Sequence, residues 1–231
     1  MAYREFRAPA ALESSVACLW VQEALHGDEI RVVPDGCVDL MWFGEDLVVV
    51  GADTGPVVWN ATPAVSGLRL RTGAAGAVLG VPASEVCNQM VALSEIWPQA
   101  REFGGRRLSR VGQLRVLATL VEQRGCSPDP LVTAATKLMR RGEHRVGAVA
   151  NDLGVSERHL QRRVNDAVGY GPKTLSRVIR FRRFVSCMEA SLADRAHLSG
   201  YASQSHMTDE IKSLTDLSPV RFLEDVRVTA A

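Results

Sequence analysis

The amino-acid sequence predicts an α+β protein with a β-rich N-terminal part and an all-α C-terminal part. Between Ser15 and about Arg71, short runs of apolar residues alternate with polar ones and are separated by Gly, Pro and Asp, which is typical of strands and turns. After Gly80 the apolar residues recur at three- and four-residue spacing, which indicates helices. The C-terminal part also contains two similar segments 47 residues apart, so we expect two copies of one helical unit.

The β-rich part contains four or five short candidate strands. EIRVV and CVDLMWF flank the turn sequence Pro34-Asp35-Gly36, which predicts a hairpin, and Val38, Leu40 and Trp42 alternate onto one face. The further candidates are LVVV, which is apolar on both faces, VVWNAT and GLRLRTG. Strands this short cannot leave both faces of a sheet in water, so we expect a small barrel or sandwich accompanied by helices.

Two helical segments follow the strands. PASEVCNQMVALSEIW is expected to be helical, and RRLSRVGQLRVLATLVEQRG is the stronger candidate, with Gly125 as its stop. Its apolar stripe fits packing within the chain and equally fits dimerisation through a second copy. CSPDP is the Pro-rich break of the chain, so the sequence predicts a β-rich segment 1–105, a helix and linker 106–130, and a helical domain 131–231. The stripe comprises Leu108, Val111, Leu114, Leu117, Leu120 and Val121.

The segment VSERHLQRRV combines a helix start with a polar, arginine-bearing face. Ser156 is a favoured N-cap residue, and Leu160 and Val164 form an apolar stripe at i and i+4. Upstream, a second amphipathic stretch ends at Gly154, which can adopt the left-handed conformation that stops a helix. A helix, a glycine turn and a second helix form the helix-turn-helix pattern of DNA-binding proteins.

This pattern occurs twice, and we call residues 146–164 the first head and residues 193–211 the second head. The repeat supports two reading units in tandem, because a single helix pair of this kind also occurs in ordinary helical bundles. Ser156, His159, Leu160, Val164 and Pro172 correspond to Ser203, His206, Met207, Ile211 and Pro219, and Ala150 and Gly154 recur as Ala196 and Gly200.

From about Leu131 to Val226 the chain resembles the tandem helix-turn-helix domain of AraC-type transcriptional regulators. The matching pieces are SERHLQRRV, GYGPKTLSRVIRFRR, GYASQSHMTDEI and DLSPVRFL, in the family's order. The resemblance implies seven helices, with a long central helix joining two subdomains that each place one helix in the major groove. The stretch VPDGCVDLMWF followed by VVVGADTGP resembles a small uncharacterised domain found ahead of such heads. In the family this partner domain binds an effector or holds a dimer together, and RNA polymerase is a further partner to consider.

The helix spacing assigns groove-facing residues to both heads. Arg158, Gln161 and Arg162 lie at i, i+3 and i+4, and arginine and glutamine can make paired hydrogen bonds to guanine and adenine. In the second head, Asp209 stands where the family usually has arginine, so this head is expected to bind weakly or to accept a hydrogen bond from cytosine. The linking helix is expected to meet phosphates. The remaining candidates are Gln204, Ser205 and Thr208 in the second head and Lys173, Arg177, Arg180, Arg182 and Arg183 on the linking helix.

Charge is distributed in the way that DNA binding requires. The formal net charge is +1, but residues 1–130 carry 11 Lys/Arg against 15 Asp/Glu, and residues 131–231 carry 16 against 11. The basic segment is therefore the one that contains both heads, as attraction to phosphates demands. We expect double-stranded operator DNA as the principal partner.

The cysteines and the N terminus indicate a cytoplasmic protein. The five cysteines form no CxxC pair, so reduced thiols are expected, and neither a metal nor another cofactor is predicted. MAYREFRAPAALE lacks the apolar core of a signal peptide, and no apolar run is long enough to cross a bilayer.

The N-terminal part contains candidate ligand-binding residues. Trp20, Trp42 and Trp59 are expected near a pocket for a small effector, although they fit the core of a barrel equally well. Cys37 follows a glycine in a turn, so a redox or alkylation sensor is an alternative, and constitutive DNA binding without a ligand is another. An enzyme is not predicted, because no base is placed by spacing beside the candidates Cys37, Asp35, Asp39, His26, Arg69 and Arg71.

Overall fold

The computed structural model describes residues 2–23, 29–60, 64–187, 191–225 and 228–229, and confirms the α+β class. None of the helices in these ranges is long and apolar enough to cross a membrane. The strands are β1 (Ala2–Arg7), β2 (Val16–Glu23), β3 (Glu29–Val32), β4 (Asp39–Phe43), β5 (Asp46–Val50), β6 (Val57–Asn60), β7 (Ala64–Leu70), β8 (Met90–Ala92) and β9 (Val228–Thr229). The helices are α1 (Ala75–Leu79), α2 (Leu93–Ile96), α3 (Arg110–Arg124), α4 (Pro130–Arg141), α5 (Val146–Asp152), α6 (Glu157–Val168), α7 (Pro172–Ser186), α8 (Leu192–Leu198), α9 (Gln204–Thr215) and α10 (Pro219–Glu224).

The strands form two sheets that share the walls of one cavity. The large sheet has the order β1-β2-β7-β4-β5-β8, and the small sheet has the order β6-β3-β9. The large sheet is antiparallel throughout, and β1 and β8 remain as its edges. The arrangement is therefore a sandwich of unequal sheets and not a closed barrel.

The predicted hairpin at Pro34-Asp35-Gly36 is wrong. Strand β3 pairs with β6 and β9, whereas β4 pairs with β5 and β7, so the two flanking strands lie in different sheets. Val33 and Cys37 are buried on either side of the turn. A segment buried at both ends crosses between packed layers, whereas a tight hairpin turn would lie at the surface.

The segment from Pro82 to Trp97 was expected to be helical, and only part of it is. It contains a 3-10 turn at Ala83–Glu85, strand β8 and the single helical turn α2. Strand β8 forms because it completes the edge of the large sheet, with Val49 opposite Val91. Pairing with a distant strand has overridden the local preference of this segment.

Helix α3 confirms the predicted helix and decides how its apolar stripe packs. Ser109 caps its start and Gly125 ends it in the left-handed conformation. The stripe is buried against β7 and its neighbours, so it packs within the chain. Val111, which was assigned to the stripe, is 67% exposed and lies outside it. The buried members are Leu114, Leu117, Leu120 and Val121.

Two hydrophobic cores organise the described residues of the rest of the chain. The larger core runs from the large sheet through α1 and α3 into α4 to α7, and the smaller core belongs to the second head. Helix α1 packs closely against α6. A Cβ atom added at Gly76 would lie 2.2 Å from the Asp166 carbonyl oxygen, which is too close for any side chain. The first head is therefore packed against the N-terminal domain. Division of the chain at residues 126–130 remains our proposal, with seven helices, α4 to α10, beyond it in the described ranges.

Candidate DNA interface and ligand cavity

The two heads have the same local structure. Ser156 Oγ accepts a hydrogen bond from the His159 amide at 3.2 Å, and Ser203 Oγ accepts one from the His206 amide at 3.1 Å. The turns before them use a left-handed glycine, Gly154 in the first head. The predicted repeat is therefore confirmed at the level of caps, turns and core. Its further members are Gly200 in the second turn and the fully buried pairs Leu160 with Met207 and Val164 with Ile211.

Helix α6 presents a basic, solvent-exposed face. Arg158 and Arg162 are exposed on the side opposite the buried Leu160. Gln161 is also exposed, but its side-chain amide packs against Gly171. A Cβ atom added at Gly171 would lie 2.1 Å from Gln161 Nε2. The two arginines are thus presented to solvent one helical turn apart, while the glutamine rests against the start of α7.

Helix α9 presents a shorter and less basic face. Gln204, Ser205 and Asp209 are exposed, and Thr208 is half-buried with its hydroxyl donating to the Gln204 carbonyl at 2.9 Å. Asp216 ends this helix at φ 58°, the position at which the first head uses glycine. Aspartate tolerates the left-handed conformation better than most residues, so the helix still ends sharply.

Arg177 and Arg180 were assigned to phosphate contact, but in the structure they hold the second head on α7. Arg180 Nη2 lies 2.8 Å from Glu210 Oε1, and Arg177 Nε lies 3.3 Å from the same oxygen. The Arg180 guanidinium also lies 5.4 Å from the centroid of the Tyr201 ring. The side chains of Arg180 and Glu210 are only 14% and 12% exposed. Of the other cations on α7 that were expected to meet phosphates, Lys173 is exposed, and Arg182 and Arg183 are half-buried.

Glu210 is the site residue that sequence reasoning missed. Besides Arg177 and Arg180, its carboxylate oxygen Oε1 lies 3.4 Å from His206 Nε2. Spacing along the chain could not identify it, because spacing does not show which distant carboxylate meets the arginines of α7.

A cavity of about 100 Å³ lies between the two sheets. Trp20, Met41 and Phe43 of the large sheet line it, as do Ile30 and Trp59 of the small sheet. Two of the three predicted tryptophans are thus brought together. Trp42 faces the opposite side of the large sheet and is completely buried in the main core, so it does not line this cavity.

A buried charge cluster closes one side of the cavity. Arg69 Nη2 lies 3.1 Å from Asp39 Oδ2, and Arg69 Nε lies 3.5 Å from Asp35 Oδ2. Trp20 Nε1 donates to Asp39 Oδ1 at 2.9 Å, so the carboxylate is held from both sides. Burial raises the pKa of Asp39, and the positive charge of Arg69 opposes that shift. Glu5 Oε1 lies 4.0 Å from Arg69 on the outer side.

Cys37 lies outside the cavity and is poorly suited to sense oxidants. It is buried, its amide donates to Asp35 Oδ1 at 2.8 Å, and its sulfur lies 3.9 Å from Thr72 Oγ1. Burial and the negative charge of Asp35 raise the pKa of the thiol to about 12. Because the thiolate is the reactive form, this geometry does not favour the thiol-sensor alternative. His26, another residue considered for chemistry, lies outside the described residues.

Asp53 gives a pH-dependent test of this charged region. Burial and the charges of Asp35 and Asp39 raise the pKa of Asp53 to about 6. The unfolded chain ionises this carboxyl near about pH 4, so the free energy of unfolding falls as the pH rises from about 4 to about 6. At pH values above 7, Asp53→Asn is expected to raise the free energy of unfolding by about 1 kcal/mol, after allowance for solvent screening.

Urea unfolding of the full chain at pH 8 and at pH 4 measures this effect, which should disappear at pH 4. Asp46→Asn, at an exposed position on β5, is the matched control and should change stability at neither pH. An equal gain for Asp53→Asn at both pH values would show that this carboxyl does not carry a shifted pKa.

Comparison with known proteins gives matches over both parts of the chain. A family model described as "Helix-turn-helix domain" matches residues 149–225, and one described as "Domain of unknown function (DUF6597)" matches residues 4–92. An apo variant of ToxT from Vibrio cholerae has a TM-score of 0.52 at 12% identity, covering 90% of this chain and 96% of that chain. A second ToxT structure from the same organism has a TM-score of 0.50 at 9% identity, covering 100% of both chains.

A comparison with curated proteins gave no match. The likeness to ToxT shows a shared arrangement of an N-terminal β-sheet domain and a helical C-terminal domain, without extending to residue roles. The helix-turn-helix match covers α6, α7 and α9, which carry the cap, glycine and core repeats described above. Residues 149–225 therefore form a helix-turn-helix domain, the fold with which DNA-binding proteins place a helix in the major groove.

Proposed function

We propose that this protein is a sequence-specific transcriptional regulator whose DNA binding is controlled by a small molecule held between its two sheets. The observation that carries the proposal is that one strand, β3, contacts both the cavity and the second head. Ile30 and Val32 line the cavity, whereas Val33, the next residue, is buried in the core of the second head. A molecule that moves this strand therefore acts on the packing of that head.

Two hydrogen bonds reinforce the connection between the domains. Arg31 Nη1 donates to the Thr215 carbonyl at 3.1 Å, at the last residue of α9. Arg182 Nη1 donates to the Asp35 carbonyl at 3.3 Å, which ties α7 to the loop after β3. The end of one recognition helix and the helix that links both heads are thus attached to the cavity wall.

We assign base reading to the first head and a weaker role to the second. Arg158 and Arg162 support this, because both are exposed on α6 and either can pair with guanine. In the second head we propose Gln204, Ser205, Thr208 and Asp209 as the groove-facing set, with Lys173 near phosphates. The cavity contains charged residues, so it differs from the closed apolar interior expected of a purely architectural protein.

The first experiment selects genomic DNA fragments with the full-length protein and then measures affinity for the selected operator at two salt concentrations. We expect affinity to fall steeply with salt, because the basic segment releases counterions on binding. The size of the complex on the operator shows whether a second copy joins, and RNA polymerase can be added to the same assay. Affinity that hardly changes with salt would contradict the electrostatic part of the proposal.

The second experiment tests the β3 connection on the same operator. Arg31→Ala combined with Val33→Ala should change the affinity or the footprint of the second head, because both contacts to that head are weakened. Val58→Ala is the matched control, since Val58 pairs with Arg31 in the small sheet but is 49% exposed. Equal operator affinities and footprints for the two variants would show that β3 does not connect the cavity to DNA binding.

A further inference from the structure

A cluster of charged side chains forms one side of the cavity between the sheets. Arg69 is the one cation among its described lining residues, and its near partners are the carboxylates of Asp39, Asp35 and Glu5. Asp39 itself lines the cavity. One buried guanidinium therefore faces three carboxylates, two of which are themselves largely buried, with side chains 12% and 17% exposed. The guanidinium is therefore shared among three acids, and Asp39, the acid among the described lining residues, is the one that a bound cation can reach.

The walls of the cavity are rich in aromatic rings. Tyr3 and Trp20 of the large sheet pair at a centroid distance of 6.0 Å. Phe43 and Trp59 come from different sheets and pair at 6.2 Å, so rings line both sides of the space. The face of an aromatic ring is negative and attracts organic cations, most strongly where water is excluded.

We propose that this cavity binds a small organic cation, a substituted ammonium with an apolar or aromatic body. The inference rests on the proposed function, in which this cavity is the effector site, and it specifies the class of effector. The ammonium is attracted by the aromatic faces and by the carboxylates around Arg69, while the apolar body contacts Ile30, Met41 and their neighbours.

A carboxylate ligand fits this site poorly. It would have to take Arg69 from Asp39 and Asp35, leaving two buried carboxylates without their cation. A neutral ligand would contact the aromatic rings but would lack the electrostatic attraction of the negative ring faces and of Asp39. The site does not suit a metal ion either, because the described residues contain no group of three His, Cys, Asp or Glu side chains placed to hold one.

Three probes that share a phenylethyl body isolate the effect of charge. Isothermal titration calorimetry on the full-length protein compares phenylethylammonium, 2-phenylethanol and 3-phenylpropanoate at constant ionic strength. We expect the ammonium to bind at least about tenfold more tightly than the alcohol, and the carboxylate to bind most weakly. Tighter or equal binding of the alcohol or the carboxylate would overturn the inference, as would no binding of any of the three.

Variants locate the binding in the cavity. Trp59→Leu removes a ring from the small sheet, and Asp39→Asn removes one carboxylate, and each is expected to weaken ammonium binding by about tenfold. Glu45→Gln removes an exposed acid that pairs with Arg107 on the surface and should leave binding unchanged. Circular dichroism checks that each variant is folded. If Asp39→Asn does not fold, Trp59→Leu still tests the inference. Equal weakening by Glu45→Gln would place the cation elsewhere and overturn the inference.

The same titrations repeated with operator DNA separate this inference from the proposed function. Ammonium that binds in the cavity without changing DNA affinity supports the inference and contradicts effector control. A carboxylate or alcohol that binds there and changes DNA affinity overturns the inference and supports effector control.

Discussion

Replacing both Arg158 and Arg162 with alanine is expected to weaken binding to the selected operator by about 2–6 kcal/mol. Each arginine can donate two hydrogen bonds to a guanine, and each such pair contributes about 1–3 kcal/mol of discrimination. Both side chains are exposed on α6, and neither is needed for the core, which uses Leu160 and Val164 on the opposite side. Fluorescence anisotropy at fixed salt concentration, with operator and with random DNA, measures the loss.

The double variant Arg106→Ala and Arg107→Ala is the matched control. It removes the same charge from exposed residues of the segment before α3, outside both heads. We expect it to change operator affinity by much less than the α6 variant. A loss that is equal for operator and random DNA would mean that Arg158 and Arg162 contact phosphates only, and no loss would mean that α6 does not enter the groove.

Glu210→Ala is expected to lower the free energy of unfolding by about 3 kcal/mol, because removing one partner leaves a buried charge uncompensated. Arg180 would remain largely buried beside Tyr201 without its carboxylate, and Arg177 would lose the same partner. The second head has its own small core, so we expect it to unfold before the rest of the chain. Urea unfolding and amide hydrogen exchange of the full-length protein measure both effects.

Asp209→Ala is the matched control for this experiment. Asp209 is the preceding residue on α9 and is exposed, so its removal should change stability by less than about 0.5 kcal/mol. Equal stability changes for the two variants would show that the contacts of Glu210 with α7 contribute little to holding the second head.

Local signals in the sequence were enough to predict the helix pairs of the two heads. Ser156 and Ser203 cap the starts of α6 and α9, and Gly154 lies in the turn that follows α5. Each of these residues is within a few positions of the helix that it starts or ends. The hydrogen bonds of a helix join residues four apart, so the determinants of its position are contained in a short stretch of chain. For the same reason the spacing of Arg158 and Arg162 was sufficient to place both on one exposed face.

Part of the cavity could also have been predicted from strand periodicity. Val38, Leu40 and Trp42 were assigned to one face of β4, and alternation then places Asp39, Met41 and Phe43 on the other face. The structure buries the first set in the core and directs the second set into the cavity. The sequence alone could therefore have shown that Trp42 lies on the core face of β4 and does not line the cavity with Trp20 and Trp59.

The amino-acid sequence by itself determined the α+β class, the two heads and their exposed faces, because these depend on interactions between near neighbours. The tertiary structure alone decided that β3 and β4 lie in different sheets, because a strand is completed by partners distant in sequence. It also decided that Arg180 pairs with Glu210 and Arg69 with Asp39, since spacing along the chain does not specify which distant carboxylate meets a buried cation. Burial makes these pairings energetically important, and burial is a property of the folded chain.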